Sequence, residues 1–219
     1  MSRYPTASIS GSKSRFIEMF GSVSDSSPIL NDVAKVYDGT HQTPHYVNEG
    51  IKFVSVENID NLEGAQKFIS KADYDKYKAK ASKGDLFMTR IGSIGKCALV
   101  TTDEPLAYYV SLALIKPNKE FVIPQFLKYY IESIDGQLEL KKRSLLQAIP
   151  MKINLGEIGQ IRVNIPSMSE QERFVSIAEQ ADKSGFVSSN RGLSRCLVWN
   201  RSKCLLRMLS LSRIIFANR

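Results

Sequence analysis

Residues 84–100, GDLFMTRIGSIGKCALV, hold the densest grouping of chemically useful side chains in this 219-residue chain. A run of strand-forming residues is interrupted by Gly92-Ser93-Ile94-Gly95-Lys96, so a tight loop brings backbone N–H groups, a hydroxyl and a cation to one place, the equipment for meeting an anion. That anion is not a nucleoside triphosphate. Glycine loops ending in lysine cradle phosphates in P-loop enzymes, but Arg90 stands where that motif needs its first glycine and Cys97 where it needs Ser or Thr. The plainer alternative is that glycines between two strands make a hairpin turn and nothing more.

Other groupings do worse as catalysts. His41 and His45 are the only histidines, and the turn formers of GTHQTPHY argue against the helix that would align them on a metal. With both in one loop, no Ser-His-Asp or Cys-His arrangement can be assembled. Asp135, Glu139 and Lys141 in DGQLELKK offer two acids and a lysine to a Mg²⁺-dependent nuclease, although charges at that spacing on a helix more often form a solvated face. Neither the glycine-rich cofactor loop nor the Asn-Pro-Pro-aromatic motif of a methyltransferase is present. The residues point to a binder, with a nuclease built on Asp135 and Glu139 as the alternative.

The elements that must position these residues change character along the chain. Residues 1–27 are rich in Ser and Gly, contain the helix-compatible piece KSRFIEMFG and end in the linker SVSDSSP. From residue 28 to 166 the texture is that of a mixed α+β domain. GIKFVSVENI, DLFMTRI, KCALVTT and AYYVSLALIKP are expected as strands, and SKADYDKYKAKASKG as a short polar helix closed by Gly84. Pro124 suits the first turn of a helix whose Leu127, Tyr130, Ile131 and Ile134 make a core stripe. A second helix covers GQLELKKRSLL, and a strand covers IGQIRVNIP. After Pro166, Ser169 and Glu172 are placed for a capping box, and Phe174, Ile177, Ala178 and Ala181 make one apolar face. A helix is predicted to start there and project from the domain, giving a third segment, 167–219, that ends in a basic tail.

Composition narrows the partners. Hydrophobic residues make up 43% and charged residues 24% of the chain. No apolar run approaches the roughly 20 residues of a membrane-spanning helix, and the polar start MSRYPTASISGSKSR carries no secretory signal. Cys97, Cys196 and Cys204 follow no metal-ligand spacing, which suits a reducing cytoplasm. The net charge of +8 is unevenly placed: all 22 acidic residues precede residue 183, and residues 183–219 hold eight basic residues and no acidic one. Any affinity of the main domain for nucleic acid must therefore come from a local patch. The tail is compatible with docking on another protein or, more remotely, on a membrane surface.

Three stretches in order resemble one family, the specificity (S) subunits of type I restriction-modification systems. DGTHQTPHYVNEGIKFVSVENI resembles the opening of a target recognition domain of that family. KGDLFMTRIGSIGKCALV resembles its central hairpin, and IRVNIPSMSEQERFVSIAEQAD its exit strand, proline step and spacer-helix start. The resemblance covers about residues 28 to 183, and KSRFIEMFG resembles the far end of a spacer helix that precedes a second recognition domain. After Lys183 the chain departs from the family, because glycines intrude and acids vanish.

The resemblance implies a cytoplasmic, non-catalytic subunit that chooses the DNA. One recognition domain reads a half-site of double-stranded DNA, and spacer helices measure the gap to the other half-site. Partner methyltransferase subunits dock there and methylate adenine, and a restriction subunit joins for cleavage. S-adenosylmethionine, Mg²⁺ and ATP would belong to those partners, with no cofactor or metal in this chain. A second specificity half or a second copy would complete the site. On this reading the loop's anion is the DNA backbone, met by N–H groups of Gly92 and Gly95, by Ser93 and by Lys96. Arg90 would grip guanine, and Gln42 or Gln147 adenine. Thr40, His41 and Thr43 in GTHQTPH and the basic run Lys141, Lys142, Arg143 complete the expected contacts, with Arg90 in a strand ion pair as the alternative.

Overall fold

The computed structural model describes Phe16 and residues 19–183, so the expectations for the basic tail lie outside the described residues. Among these residues the chain is α+β, as expected. The element order is α1 (Leu30–Val33), β1 (Ala34–Asp38), β2 (Tyr46–Val47), β3 (Ile51–Val54), β4 (Lys67–Ile69) and α2 (Lys71–Tyr74). It continues through β5 (Leu86–Thr89), β6 (Cys97–Leu99), β7 (Leu106–Tyr108), β8 (Leu112–Pro117), α3 (Pro124–Glu132), α4 (Ile134–Arg143), α5 (Leu155–Gly159) and α6 (Met168–Lys183).

The strands form two four-stranded sheets, β1-β8-β5-β6 and β2-β4-β3-β7. The first is antiparallel throughout; the second is antiparallel except for β3 beside β7, where Lys52 faces Leu106 and Val54 faces Tyr108 in parallel register. β8 lies inside the first sheet, and its Leu112, Ala113, Leu114 and Ile115 have no exposed surface. Successive side chains on a strand point to opposite faces. Ala113 and Ile115 thus join one core with Leu86 and Met88 of β5, while Leu112 and Leu114 join another with Phe87. The helices α3, α4, α5 and α6 cover the first face, and the second core is shared with Leu106 and Tyr108 of the other sheet. A sheet covered on both faces is why DLFM and LALI read as unbroken apolar runs rather than as alternating ones.

Several expected elements differ. AYYVSLALIKP is not one strand: β7 pairs in the second sheet and β8 in the first, and the chain crosses between them over Tyr109–Ser111, where Leu112 N–H donates to Tyr109 O at 2.9 Å. The polar helix ends after Tyr74, because Asp75, Lys76 and Tyr77 close successive turns that Tyr77 and Ala79 then leave to pack against the second core. IGQIRVNIP splits into the end of α5 and an extended edge. There Ile161 and Val163 alternate inward, but only Ile29–Arg162 forms a bridge. The cap of α6 is two residues earlier than expected, since Ser167 N–H donates to Glu170 Oε2 at 3.0 Å.

The first turns of α6 belong to the domain core. Phe174 and Ala178 are buried, and Gln171, with no exposed surface, uses its whole amide. Its Oε1 accepts from Ile123 N–H, and its Nε2 donates to Phe121 O and Pro166 O, all at 2.9 Å. One side chain thus ties the start of α6 to the start of α3. Phe16 and Phe20 of the N-terminal segment pack on Phe174 and Phe126, so this segment is integral to the same core.

Candidate nucleic-acid interface

The glycine loop is held from three sides. Gly92 and Gly95 both have positive φ, +80° and +88°, which glycine adopts without steric cost. A Cβ at position 95 would lie 2.4 Å from Gln137 Nε2 and 2.7 Å from Leu140 Cδ1, so the loop sits close against α4. Thr89 Oγ1 accepts from Lys96 N–H at 3.0 Å and donates to Ser93 O, stitching the hairpin across its base.

This arrangement corrects one expectation. Gly92 N–H donates to Met151 O at 2.8 Å, Gly95 N–H to Thr89 O at 2.9 Å, and Lys96 N–H to Thr89 Oγ1. A donor spent on a protein acceptor does not also hold a phosphate, so the N–H groups of Gly92 and Gly95 are structural. What the loop presents outward is the side chains of Ser93 and Lys96, both exposed. Lys96 Nζ lies 3.3 Å from Asp60 Oδ2 in a pair exposed on both sides. Such pairs are worth about 0–1 kcal/mol and yield readily to a stronger anion.

Two other loops and the corner between β7 and β8 meet this hairpin at Arg90 or its neighbours. Arg90 follows β5 directly, and its N–H donates to Ser111 O at 3.0 Å, at the corner where the chain changes sheets. Its NH1 donates to Asp38 Oδ1 at 2.6 Å, and Asp38 Oδ2 accepts from His41 Nε2 at 2.8 Å. The side chain of Arg90 is only 12% exposed, and its Nε is buried with no acceptor. The ion-pair alternative therefore describes Arg90 in the free protein: it is a strut between the end of β1 and the end of β5. A guanine contact through the N–H that Asp38 accepts would require giving up Asp38.

The loop beginning at Gly39 is anchored by backbone. Thr40 N–H donates to Tyr108 O at 3.1 Å, and Val110 N–H donates to Thr40 O at 3.0 Å. A Cβ at Gly39 would lie 2.6 Å from backbone atoms of Tyr108 and Tyr109, so only glycine fits this approach. Beyond this anchor His41, Gln42 and Thr43 are exposed.

The third loop follows α4. Leu145 N–H donates to Lys152 O at 2.8 Å, closing a small hairpin that carries Gln147 exposed near its tip. Its return limb joins the glycine loop through the Ile91–Lys152 bridge and through Ile153 N–H, which donates to Arg90 O at 3.0 Å. Gln42, Ser93, Lys96 and Gln147, far apart in sequence, thus stand on loops that share Arg90 or its neighbours as their footing.

The basic run is less available than expected. Lys142 Nζ binds Glu139 Oε1 at 2.6 Å and Arg143 NH1 binds Glu157 Oε2 at 3.2 Å, whereas Lys141 is exposed and makes no ion pair among the described residues. Sequence reasoning missed Asp38 and Lys152. The Asp-Gly pair in YDGTH was the available signal for Asp38, which also accepts from Gly39 N–H at 3.0 Å.

The geometry does not favour the nuclease alternative. Asp135 and Glu139 are both buried, and both oxygens of Glu139 are committed, one to Lys142 Nζ and the other to Arg162 N–H at 3.1 Å. No group of three potential metal-ligating acids, histidines or cysteines occurs among the described residues. Burial by itself pushes the Glu139 carboxyl up, but the hydrogen bonds from Lys142 and Arg162, with the charges of Lys142 and Arg143, outweigh it and hold the group below its ordinary 4.5. A depressed folded pKa stabilises above the unfolded value, and that contribution is lost as pH falls through the folded one. Glu139→Gln is therefore expected to destabilise the protein at neutral pH and to match wild type in acid. Urea titrations at both conditions check this, and a pH-independent difference would refute it.

One antiparallel and one mixed sheet, with polar loops gathered around a half-buried ion pair, make an α+β domain. The chain belongs to the type I restriction modification DNA specificity domain family, whose profile matches residues 29–191. It is 26% identical over 156 residues to the type I restriction enzyme EcoBI specificity subunit of Escherichia coli, a match covering 69% of this chain and 33% of that protein. Its fold is similar to that of the HsdS subunit from Thermoanaerobacter tengcongensis, with a TM-score of 0.60, 18% identity and coverage of 79% of this chain and 42% of that one. It is also similar to the type I restriction-modification S subunit from M. genitalium, with a TM-score of 0.51, 16% identity and coverage of 72% and 39%. The chain thus spans a third of the curated relative and under half of these solved subunits. No helix among the described residues is long and apolar enough to cross a membrane.

Proposed function

We propose that this chain is the reading unit of a type I restriction-modification complex, recognising one half-site in duplex DNA. The carrying observation is the convergence of the loops at 39–43, 91–96 and 144–152 on Arg90, in a chain of the DNA specificity family. Exposed Gln42 and Gln147 have the amide edge that pairs with adenine, and Ser93 and Lys96 the groups that hold phosphate. Arg90 positions these loops through Asp38. In the cytoplasm, methyltransferase subunits would modify adenine at the chosen site, and a restriction subunit would cleave unmodified DNA. S-adenosylmethionine, Mg²⁺ and ATP would serve those partners, and a second specificity half or a second copy would read the other half-site. Coexpression with candidate methyltransferase subunits, pull-down and mapping of methylated adenines tests the proposal. Methylation at one defined sequence is expected; no complex and no new methylation would refute it.

Lys96 separates positioning from reading. Lys96→Ala is expected to weaken binding alike for matched and scrambled duplexes and to lower the log-log salt slope by about one, with preference unchanged. A salt titration of the assembled complex measures both. An unchanged slope would remove Lys96 from the phosphate contacts.

A further inference from the structure

The loop between Leu145 and Lys152 carries something that recognition by hydrogen bonding does not explain. Leu145 and Leu146 are 46% and 52% exposed, and Ile149, at the tip, is fully exposed. A fully solvated isoleucine costs hydration free energy that a polar residue would avoid, so the tip is apolar against its own interest in the free protein.

Its footing is firm. Leu145 and Lys152 bridge at the base, Ala148 N–H donates to Leu145 O at 3.1 Å, and the return limb is fastened to the glycine loop through Met151 O and Gly92 N–H. Its surroundings are cationic. From Leu140 to Gly156 the chain carries Lys141, Lys142, Arg143 and Lys152 and no acid; Lys142 pairs with Glu139 and Arg143 with Glu157, while Lys141 and Lys152 are exposed and make no ion pair among the described residues. An apolar tip on a hydrogen-bonded base, flanked by the exposed Lys141 and Lys152 and on the same footing as the candidate phosphate contact Lys96, matches an anionic polymer with an apolar interior: stacked base pairs inside a phosphate backbone.

Resting on the DNA-reading proposal above, we propose that Ile149, supported by Leu146, is a wedge that enters between two base-pair steps of the bound half-site and partly unstacks them. Apolar side chains inserted in this way kink duplexes in other architectures, and Lys141 and Lys152 would hold the phosphates that flank the opened step. The wedge would let the site be chosen by deformability as well as by base edges, favouring flexible pyrimidine–purine steps at the insertion point.

The test uses the full chain. A preferred duplex is first selected from a randomised pool, and 2-aminopurine is then placed at each position of it in turn. Wild type is expected to raise the emission at one step several-fold. Ile149→Ser combined with Leu146→Ser should abolish that rise and weaken binding about tenfold, the scale expected for withdrawing aliphatic surface from an apolar site net of unstacking. Both positions are solvent-facing, so folding is not at stake, and Phe121→Ser, which removes an exposed aromatic from the turn before α3, should change neither readout. A selected duplex that wild type binds with no emission change, or a rise that survives the double substitution, would overturn the wedge and leave DNA reading intact. Loss of methyltransferase pull-down with emission unchanged would instead make the tip a protein-docking element and also overturn it. Failure to select any duplex would overturn both proposals.

Discussion

Phe174→Ala is expected to lower the unfolding free energy by about 3–5 kcal/mol, the usual cost of removing a buried aromatic ring. Phe174 is 1% exposed, and its ring lies 5.2 Å from Phe16, 5.6 Å from Phe20 and 5.8 Å from both Phe126 and Tyr129. The cavity would open where three segments meet: the N-terminal piece, α3 and α6. Tilted and edge-on ring pairs add about 0.5–1.5 kcal/mol each beyond area burial, so neighbouring aliphatic side chains cannot replace what is lost. Urea unfolding should show a lower midpoint at unchanged slope. Phe174→Leu should cost less, since it keeps much of the volume. A loss for Phe174→Ala below about 1 kcal/mol would mean that α6 is not anchored through this ring. The consequence reaches function: in the proposed complex α6 sets the reading loops relative to the partners, so loosening its root should reduce the yield of assembled complex before it changes sequence preference.

Arg90→Ala and Asp38→Asn are each expected to cost about 1–3 kcal/mol of stability, and the double variant little more than either alone. Arg90 and Asp38 are 12% and 24% exposed, so removing one partner leaves the other's charge poorly solvated, whereas removing both removes the penalty. The coupling follows from shared footing. Asp38 ends β1, Arg90 follows β5, and their 2.6 Å contact ties the loop of His41 and Gln42 to the glycine hairpin. In binding assays with matched and scrambled duplexes, both single variants should lose preference alike if Arg90 is a strut. If Arg90 reads guanine directly, Arg90→Ala alone should lose about 1–3 kcal/mol on the preferred site while Asp38→Asn keeps it. The second pattern would return Arg90 to the base contacts.

Local pattern carried much of the architecture. Pro124 at the first turn with Phe126, Leu127, Tyr130 and Ile131 buried is an amphipathic helix wherever it folds, and the apolar runs of β5 and β8 announce strands covered on both faces. The hairpin at Gly92 and Gly95 is equally legible, because tolerance of positive φ belongs to glycine itself. Errors arose where the deciding contact is distant. The single strand expected across 107–117 divides in two because whether a run continues or changes sheets depends on which strand is waiting beside it, β3 or β5, and not on its own side chains. The cap of α6 moved from Ser169 to Ser167 because Gln171, which matched the family pattern only as a letter, is drawn inward to Ile123 and Phe121.

Most element types, the balanced charge of the main domain, the turn at the glycine loop and, through ordered resemblance, the family were readable from the residues in order. Which donors remain for a ligand depends on contacts made across the fold. Gly92 N–H is spent on Met151, 59 positions away, and Arg90 on Asp38, 52 positions away, while Gln42 and Gln147 stand exposed. The physical reason is that a residue's type states what it can bond, but a hydrogen bond or ion pair is settled by whichever partner folding brings within about 3 Å. That partner is chosen by the packing of the two sheets, which no local stretch of sequence encodes.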